Sequence, residues 1–205
     1  MAGDLTVRNI KVTDRIEPGS AGGTVTLGNS INADTIAVPS GVTLNINSGA
    51  TFLATAGTMS GQNYPAFEAY VSSSQNLSDA AETKVQFDTE RFDTNSMYDS
   101  STNYRFTPTI AGKYVVYTQL GCDSSGDAEI TRADVMIYKN GSQYVRNRTN
   151  IATSTQIMCN AEAIIDFNGS TDYVEIYGYI DVSSGTPFIR AGTLESRFGA
   201  YRIGA

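Results

Sequence analysis

The sequence predicts an all-β protein in which a short fibrous β shaft precedes an antiparallel sandwich or jelly roll. The chain has twelve Tyr and eight Phe. Together with its many Thr, Val and Ile, these residues suit a pleated and half-buried surface. Nineteen Gly, with abundant Ser, Asn and Asp, supply turns between short strands. Because no stretch shows sustained helical periodicity, we expect strands along most of the 205 residues.

Residues 1–23 form a polar segment with one weak strand, which ends at the breaker "EPGSAGG". This strand has apolar residues on one face and no local partner. A strand of that kind often docks onto another chain. We therefore expect residues 1–23 to anchor the protein to a larger particle. The anchoring candidates are Leu5, Val7, Ile10, Val12 and Ile16.

Residues 24–60 are poor in charge and contain a short repeat. The sequence "SGVTL" at 40–44 returns as "SGATF" at 48–52. Short strands with Gly-centred turns predict a narrow fibrous shaft. One copy has too few apolar residues to offset its ordering entropy, whereas three copies around a common axis could do so. The alternative is a flexible Ser/Thr/Gly-rich linker.

Residues 61–205 have the pattern of a compact antiparallel domain. The clearest hairpin is "ADVMIYKNGSQYVRN", with Asn140-Gly141 as its two-residue turn, the preferred pair for a type I′ turn. A second strand pair is expected across Asn168-Gly169. Further strands are predicted in the segments "FEAYVSS", "TKVQFDTERF", "KYVVYTQLGC" and "SRFGAYRI". Strands at regular spacing with turns between them predict a sandwich or jelly roll.

Eight residues of this domain form a pattern. They are Phe87, Tyr98, Phe106, Pro108, Gly112, Tyr114, Phe198 and Gly199. This pattern resembles the signature of the tumour-necrosis-factor and complement-1q globular-head superfamily, and the spacing from Phe to Pro and then Gly-x-Tyr is its most specific part. The resemblance covers roughly residues 64–203. It implies a jelly-roll knob that forms a homotrimer around a three-fold axis.

The stretch "DRIEPGSAGGTVTLGNSINADTIAVPSGVTLNINSGA" resembles shaft segments of tail-fibre and other virion proteins of marine bacteriophages. The two resemblances together imply a bacteriophage virion structural protein, a trimeric fibre or head decoration. Its residues 1–23 would bind capsid or tail proteins, and its knob would bind a host-surface glycan or protein. The alternatives are a tail receptor-binding fibre and a bacterial secreted or surface adhesin of the same fold.

Charge and composition exclude several other functions. The chain has 21 Asp and Glu against 14 Lys and Arg, and we expect no nucleic-acid partner because a basic stripe is missing. No run approaches the roughly 20 apolar residues that span a bilayer. Without a secretory signal, we expect the mature protein to begin at or near Met1. The absence of His removes the commonest general base and zinc ligand, so we expect neither enzymatic activity nor a cofactor.

Two groups of acidic residues are candidate sites. Paired carboxylates can hydrolyse a sugar, but the candidates Asp88, Glu90 and Asp93 lie within the fold signature, where turn and edge hydrogen bonds are the simpler interpretation. The segment "DSSGDAE" could hold calcium through oxygen ligands at alternate positions. A solvated loop is the alternative. The candidate calcium ligands are Asp123, Ser125, Asp127 and Glu129.

Four arginines and two cysteines complete the set of candidates. Arg105, Arg132, Arg146 and Arg148 could form an anion-binding patch for sulfated or phosphorylated glycans. Pairing with surface Asp and Glu is the alternative interpretation. Cys122 and Cys159 lack metal-ligand spacing, and the sequence allows two buried thiols or one disulfide. The sequence does not identify the side chains that bind the host ligand.

Overall fold

The computed structural model describes residues 64–151 and 154–204. The anchoring segment 1–23, with Leu5, Val7, Ile10, Val12 and Ile16, lies outside the described residues, and so does the shaft 24–60. Their predicted roles stay predictions. The described part contains strands and a single short 3₁₀ turn, Ser125–Asp127.

Thirteen strands follow one another in the described part of the chain. In chain order they are β1 (Ala66–Tyr70), β2 (Gln75–Asn76), β3 (Thr83–Lys84), β4 (Thr89–Asp93), β5 (Tyr98–Asp99), β6 (Arg105–Phe106), β7 (Gly112–Ser124), β8 (Ile130–Lys139), β9 (Ser142–Asn150), β10 (Gln156–Phe167), β11 (Val174–Val182), β12 (Pro187–Ile189) and β13 (Arg197–Gly204). They form two antiparallel sheets that pack face to face, as the sequence predicts.

Sheet A is built around β7. One edge of β7 pairs with β10 along its whole length, and the other edge pairs with β13 and β12. Beyond β13 the sheet continues to β1 and β4, and beyond β12 to β2. Residues of β7 alternate between core and outer face. Tyr114 and Val116, for example, point into the core.

Sheet B has the order β5-β6-β11-β8-β9, with β3 also paired to β11. The predicted strand pair across Asn168-Gly169 is wrong. β10 pairs with β7 in sheet A, whereas β11 pairs with β8 in sheet B. The segment between them therefore crosses from one sheet to the other. Both strands bury one face in the shared core, so their local patterns look like those of neighbours in one sheet.

The hairpin at Asn140-Gly141 is confirmed. Asn140 has φ 52° and Gly141 φ 76°, the positive values that a type I′ turn requires at both central residues. The backbone N–H of Tyr173 donates to Asn140 Oδ1 over 2.9 Å, which ties the turn to the strand beside it. Strands β8 and β9 then pair from Lys139↔Ser142 to Arg132↔Asn150.

The core between the sheets contains a connected cluster of aromatic rings, here called the aromatic cluster. Phe67 of sheet A stacks on Tyr98 and Phe106 of sheet B, with centroid distances of 4.7 Å and 4.5 Å. Phe198 meets Phe67 edge-on at 4.9 Å. The remaining contacts extend the cluster without a break. Its members are Phe67, Phe87, Tyr98, Phe106, Tyr114, Phe167 and Phe198.

Five of the signature residues thus have a common physical role, because they pack in one cluster. The two tyrosine hydroxyls in the cluster also find partners. Tyr98 donates to the carbonyl of Phe87 over 2.9 Å, and Tyr114 donates to the carbonyl of Ile110 over 2.8 Å. A buried Tyr hydroxyl without a partner would cost free energy. Each ring therefore packs in one orientation.

Gly112 serves the signature in a different way. Its φ is +136°, and a Cβ there would lie 2.2 Å from the carbonyl oxygen of Gly204. Only Gly permits the C-terminal strand to approach β7 so closely. Pro108 is buried in the segment that precedes Gly112.

We expect Phe106→Ala to lower the free energy of unfolding by about 3–5 kcal/mol, because it leaves a cavity where four rings meet. Chemical denaturation at fixed protein concentration measures the loss. Leu194→Ala is the control, since Leu194 is 81% exposed and its truncation should change stability by less than about 0.5 kcal/mol. Equal effects of the two substitutions would contradict the described core.

Candidate functional site

The outer face of sheet A carries large apolar side chains that the sandwich does not cover. In the register of the sheet, Ile164 of β10 lies beside Val115 of β7, which lies beside Tyr201 of β13. Ile164 is 59% exposed and Tyr201 46% exposed. Two strands further on, Phe92 of β4 is 47% exposed. We call Phe92, Ile164 and Tyr201, together with the buried Val115 between the last two, the apolar face.

A polar network lies within the apolar face. Glu68 is buried, and its two carboxylate oxygens have different partners. The hydroxyl of Tyr117 donates to Oε2 over 2.8 Å, and Arg91 Nη1 donates to Oε1 over 2.7 Å. Burial and this hydrogen bond to Glu68 raise the pKa of Tyr117 well above its usual value. The charge of Glu68 is therefore compensated within the same chain.

Gly199 explains how the Tyr117 ring reaches Glu68. A Cβ at Gly199 would lie 2.4 Å from the Tyr117 ring, so the ring lies directly on the backbone of the neighbouring strand. The close approach requires glycine because any larger residue would displace the ring. The signature residue Gly199 therefore determines the packing on the outer face of sheet A, whereas the aromatic signature residues pack in the core.

The outer face of sheet B is charged and aromatic. Three of the four candidate arginines surround Asp134, a carboxylate with no exposed surface. Arg132 Nε donates to Asp134 Oδ1 over 3.0 Å, and Arg148 Nε donates to Oδ2 over 3.3 Å. Arg146 Nε lies 3.7 Å from Oδ2. Pairing with carboxylates, the alternative to a free anion patch, is confirmed for these three.

Asp134 stays ionised because of these arginines. Burial alone would raise the pKa of its carboxyl group, but the hydrogen bonds and charges of Arg132 and Arg148 outweigh that effect and lower the pKa. Arg105 does not join the cluster. Its guanidinium lies 4.5 Å from the ring centre of Tyr173. The predicted group of four arginines is therefore a group of three.

Tyrosines surround the arginine cluster. The Arg132 guanidinium lies 4.1 Å from the ring centre of Tyr179, and the rings of Tyr138 and Tyr177 are 4.3 Å apart. The hydroxyl of Tyr138 donates a hydrogen bond to Glu82, and this bond raises the pKa of Tyr138 to about 12. Such stacking and hydrogen bonds fix the side-chain conformations on this face.

The three candidate catalytic carboxylates have structural roles. Asp88 accepts from the backbone N–H and the hydroxyl of Ser72, and Asp93 accepts from the backbone N–H of Tyr98 over 2.7 Å. Glu90 accepts from the hydroxyl of Ser100 over 2.7 Å. The simpler interpretation as turn and edge hydrogen bonds is therefore confirmed.

The calcium candidates do not converge. Asp123 Oδ2 lies 3.9 Å from Arg190, and the hydroxyl of Ser125 accepts the backbone N–H of Thr186. Glu129 is exposed, and the side chain of Asp127 is not among those described. Within residues 64–151 and 154–204, no three His, Cys, Asp or Glu side chains gather as a metal site.

Cys122 and Cys159 are both buried free thiols, the first of the two interpretations. They lie on neighbouring strands with Cys122 opposite Ile157 and Cys159 opposite Leu120, so they are diagonal neighbours. The hydrogen bond with Cys159 and burial raise the pKa of the Cys122 thiol.

No described helix is long and apolar enough to cross a membrane.

Comparison with solved structures shows the fold. The globular domain of the zebrafish complement 1qA protein is 13% identical, with a TM-score of 0.51 over 69% of this chain and 98% of that chain. Murine APRIL, in a crystal structure at pH 5.0, is 8% identical, with a TM-score of 0.52 over 69% of this chain and all of that chain. No protein-family model and no curated protein sequence matches. The described domain is a complement-1q/TNF-like jelly roll, as the signature residues predict.

We expect Asp134→Asn to change how stability depends on pH. The pKa of Asp134 is lowered in the folded state. Its ionised carboxylate therefore contributes fully to stability above its pKa in the unfolded chain, about 3.9, and this contribution is lost as the pH falls through its pKa in the folded protein. The melting temperature of the wild type should exceed that of Asp134→Asn at pH 7, and the gap should close in acid.

Asp166→Asn is the matched control for this experiment. Asp166 is 71% exposed and 3.6 Å from Lys113, so its substitution removes one negative charge from the surface. Its effect on melting temperature should be small. A gap between wild type and Asp134→Asn that stays constant down to pH 2 would contradict the role given to the Asp134 carboxylate.

Proposed function

We propose that the chain is a bacteriophage virion structural protein, a homotrimeric fibre or head decoration whose knob binds the host surface. In this proposal residues 1–23 bind capsid or tail proteins, residues 24–60 form the shaft, and residues 61–205 form the knob. The observation that carries the trimer is the apolar face of sheet A. The virion role rests on the resemblance of the shaft sequence to phage fibre segments.

The apolar face needs a partner because the core of the sandwich is already complete. Phe67, Phe106 and Tyr114 are fully buried without it. Ile164, Tyr201 and Phe92 stay about half exposed among the described residues. Large apolar patches rimmed by polar residues mark interaction sites. An identical chain is the partner that closed symmetry provides, and the family resemblance implies three copies.

Binding, and not catalysis, is the activity that suits this domain. The chain has no His, and the candidate catalytic carboxylates Asp88, Glu90 and Asp93 accept structural hydrogen bonds. A trimer presents three equal copies of each outward surface. Simultaneous contact then strengthens weak single contacts through effective concentration. Such multiplied weak binding suits attachment to a surface that displays many copies of one ligand.

The knob architecture suits both a head decoration and a tail receptor-binding fibre. A bacterial secreted or surface adhesin of the same fold is the alternative to a virion protein. Immunogold electron microscopy with antibody against the knob distinguishes them. Label on the head or the tail of virions supports the proposal, and unlabelled virions would contradict it in favour of the adhesin.

We expect Ile164→Lys and Tyr201→Lys to dissociate the trimer, because each places a charge in a buried apolar interface. Light scattering after size-exclusion chromatography should give the mass of three chains for the wild type and of one chain for the variants. Gln143→Lys adds the same charge on exposed β9 and should remain trimeric. A folded wild-type monomer at micromolar concentration would contradict the proposed assembly.

A further inference from the structure

The outer face of sheet B arranges its side chains in a grid set by strand register. One row contains Tyr179 of β11, Asp134 of β8 and Arg148 of β9. The next row contains Tyr177 and Arg146, on either side of Met136. Two arginines and two tyrosines therefore lie within two rows of three neighbouring strands, and Arg132 lies in the row on the other side of Asp134.

Asp134 holds this grid in place. A carboxylate with no exposed surface is costly unless charged donors compensate it. Here Arg132 contacts both of its oxygens, at 3.0 Å and 2.5 Å, while resting on the Tyr179 ring. The guanidinium groups are thus preorganised, and a ligand that binds them need not order them first.

Arg148 differs from the other two arginines of the cluster. Arg132 has the bidentate contact with Asp134, and Arg146 has Glu82 as its own carboxylate. Arg148 reaches Asp134 only through Nε at 3.3 Å, and its Nη groups donate no hydrogen bond to any residue that the structure describes. Its side chain is 44% exposed, against 24% for Arg132 and 26% for Arg146.

The free donors of Arg148 match a planar carboxylate. Two parallel N–H groups of a guanidinium bind the two oxygens of a carboxylate side by side. Asp181 lies opposite Arg132 in register, and Glu82 pairs with Arg146. Because these acids balance the charge of the face, it suits a ligand with one local carboxylate better than a densely sulfated chain.

The tyrosines add what a sugar ring requires. Tyr177 and Tyr179 are half-buried on β11, across β8 from Arg148 on β9. Aromatic rings offer an apolar surface for the C–H face of a sugar and a hydroxyl for its polar groups. We infer that Arg148, with Tyr177 and Tyr179, binds a carboxylated sugar of the uronic or sialic acid type on the host surface. This inference rests on the proposed function of the knob in host binding.

Surface plasmon resonance with the full-length chain tests this inference. The immobilised probes are polygalacturonate, hyaluronate and polysialate, each beside its carboxyl-reduced form, together with dextran sulfate. We expect the wild type to bind at least one carboxylated polymer and to lose at least about tenfold in affinity for its reduced form. Dextran sulfate should bind more weakly than that polymer.

Two substitutions of Arg148 separate bidentate recognition from general attraction between charges. Arg148→Gln should weaken binding by about tenfold to a hundredfold, since a charge-assisted contact is lost. Arg148→Lys keeps the charge but not the planar pair of donors, so we expect a loss of similar size. Arg190→Gln removes the same charge from the region of β12 and should keep wild-type affinity.

Three outcomes would overturn the inference: no binding to any of the carboxylated polymers, equal or tighter binding to dextran sulfate, or full binding by Arg148→Lys. The trimer mass and the virion label are measured independently. If the mass is that of a trimer and virions are labelled, but the Arg148 substitutions do not change sugar binding, the proposed function stands and only the sugar site is wrong. Melting temperatures of the Arg148 variants near that of the wild type show that the fold is intact.

Discussion

The aromatic cluster is the interaction on which the rest of the structure depends. Phe67 of sheet A stacks between Tyr98 and Phe106 of sheet B, so the same rings that exclude water also set the separation and alignment of the two sheets. Its members come from seven places between residues 67 and 198, which means that the cluster forms only when the whole domain has closed. Such non-local packing requires a nearly complete chain before it contributes stability.

Because this cluster fills the core, the outer faces of the two sheets are free to contact other molecules. The two faces differ in chemistry. Sheet A exposes Ile164, Tyr201 and Phe92 around the compensated carboxylate of Glu68, a combination suited to burial against another protein surface. Sheet B presents Arg148 and tyrosines above the fixed carboxylate of Asp134, a combination suited to polar contacts in water. One sheet can thus assemble the protein while the other meets a ligand.

The sequence predicted those features that depend on nearby residues. The Asn140-Gly141 turn follows from two residues, and the aromatic signature follows from spacing within a familiar pattern. Sheet membership of β10 and β11 could not be predicted, because each strand has the same alternation in either sheet. The Glu68–Tyr117 bond joins residues 49 positions apart. The burial of Asp134 could not be predicted either, because nothing near it in the sequence distinguishes it from a surface acid. It depends on three arginines that the pairing of β8 with β9 places around the carboxylate.

Hydroxyl-radical footprinting of the full-length protein tests the central claim, that the outer face of sheet A is covered by other copies of the chain. In a single chain Tyr201 is 46% exposed, whereas Tyr177 on sheet B is less exposed. We predict the reverse order of oxidation in solution, with Tyr201 protected and Tyr177 reactive. Faster oxidation of Tyr201 than of Tyr177 would show that the apolar face is open to water and would contradict the account.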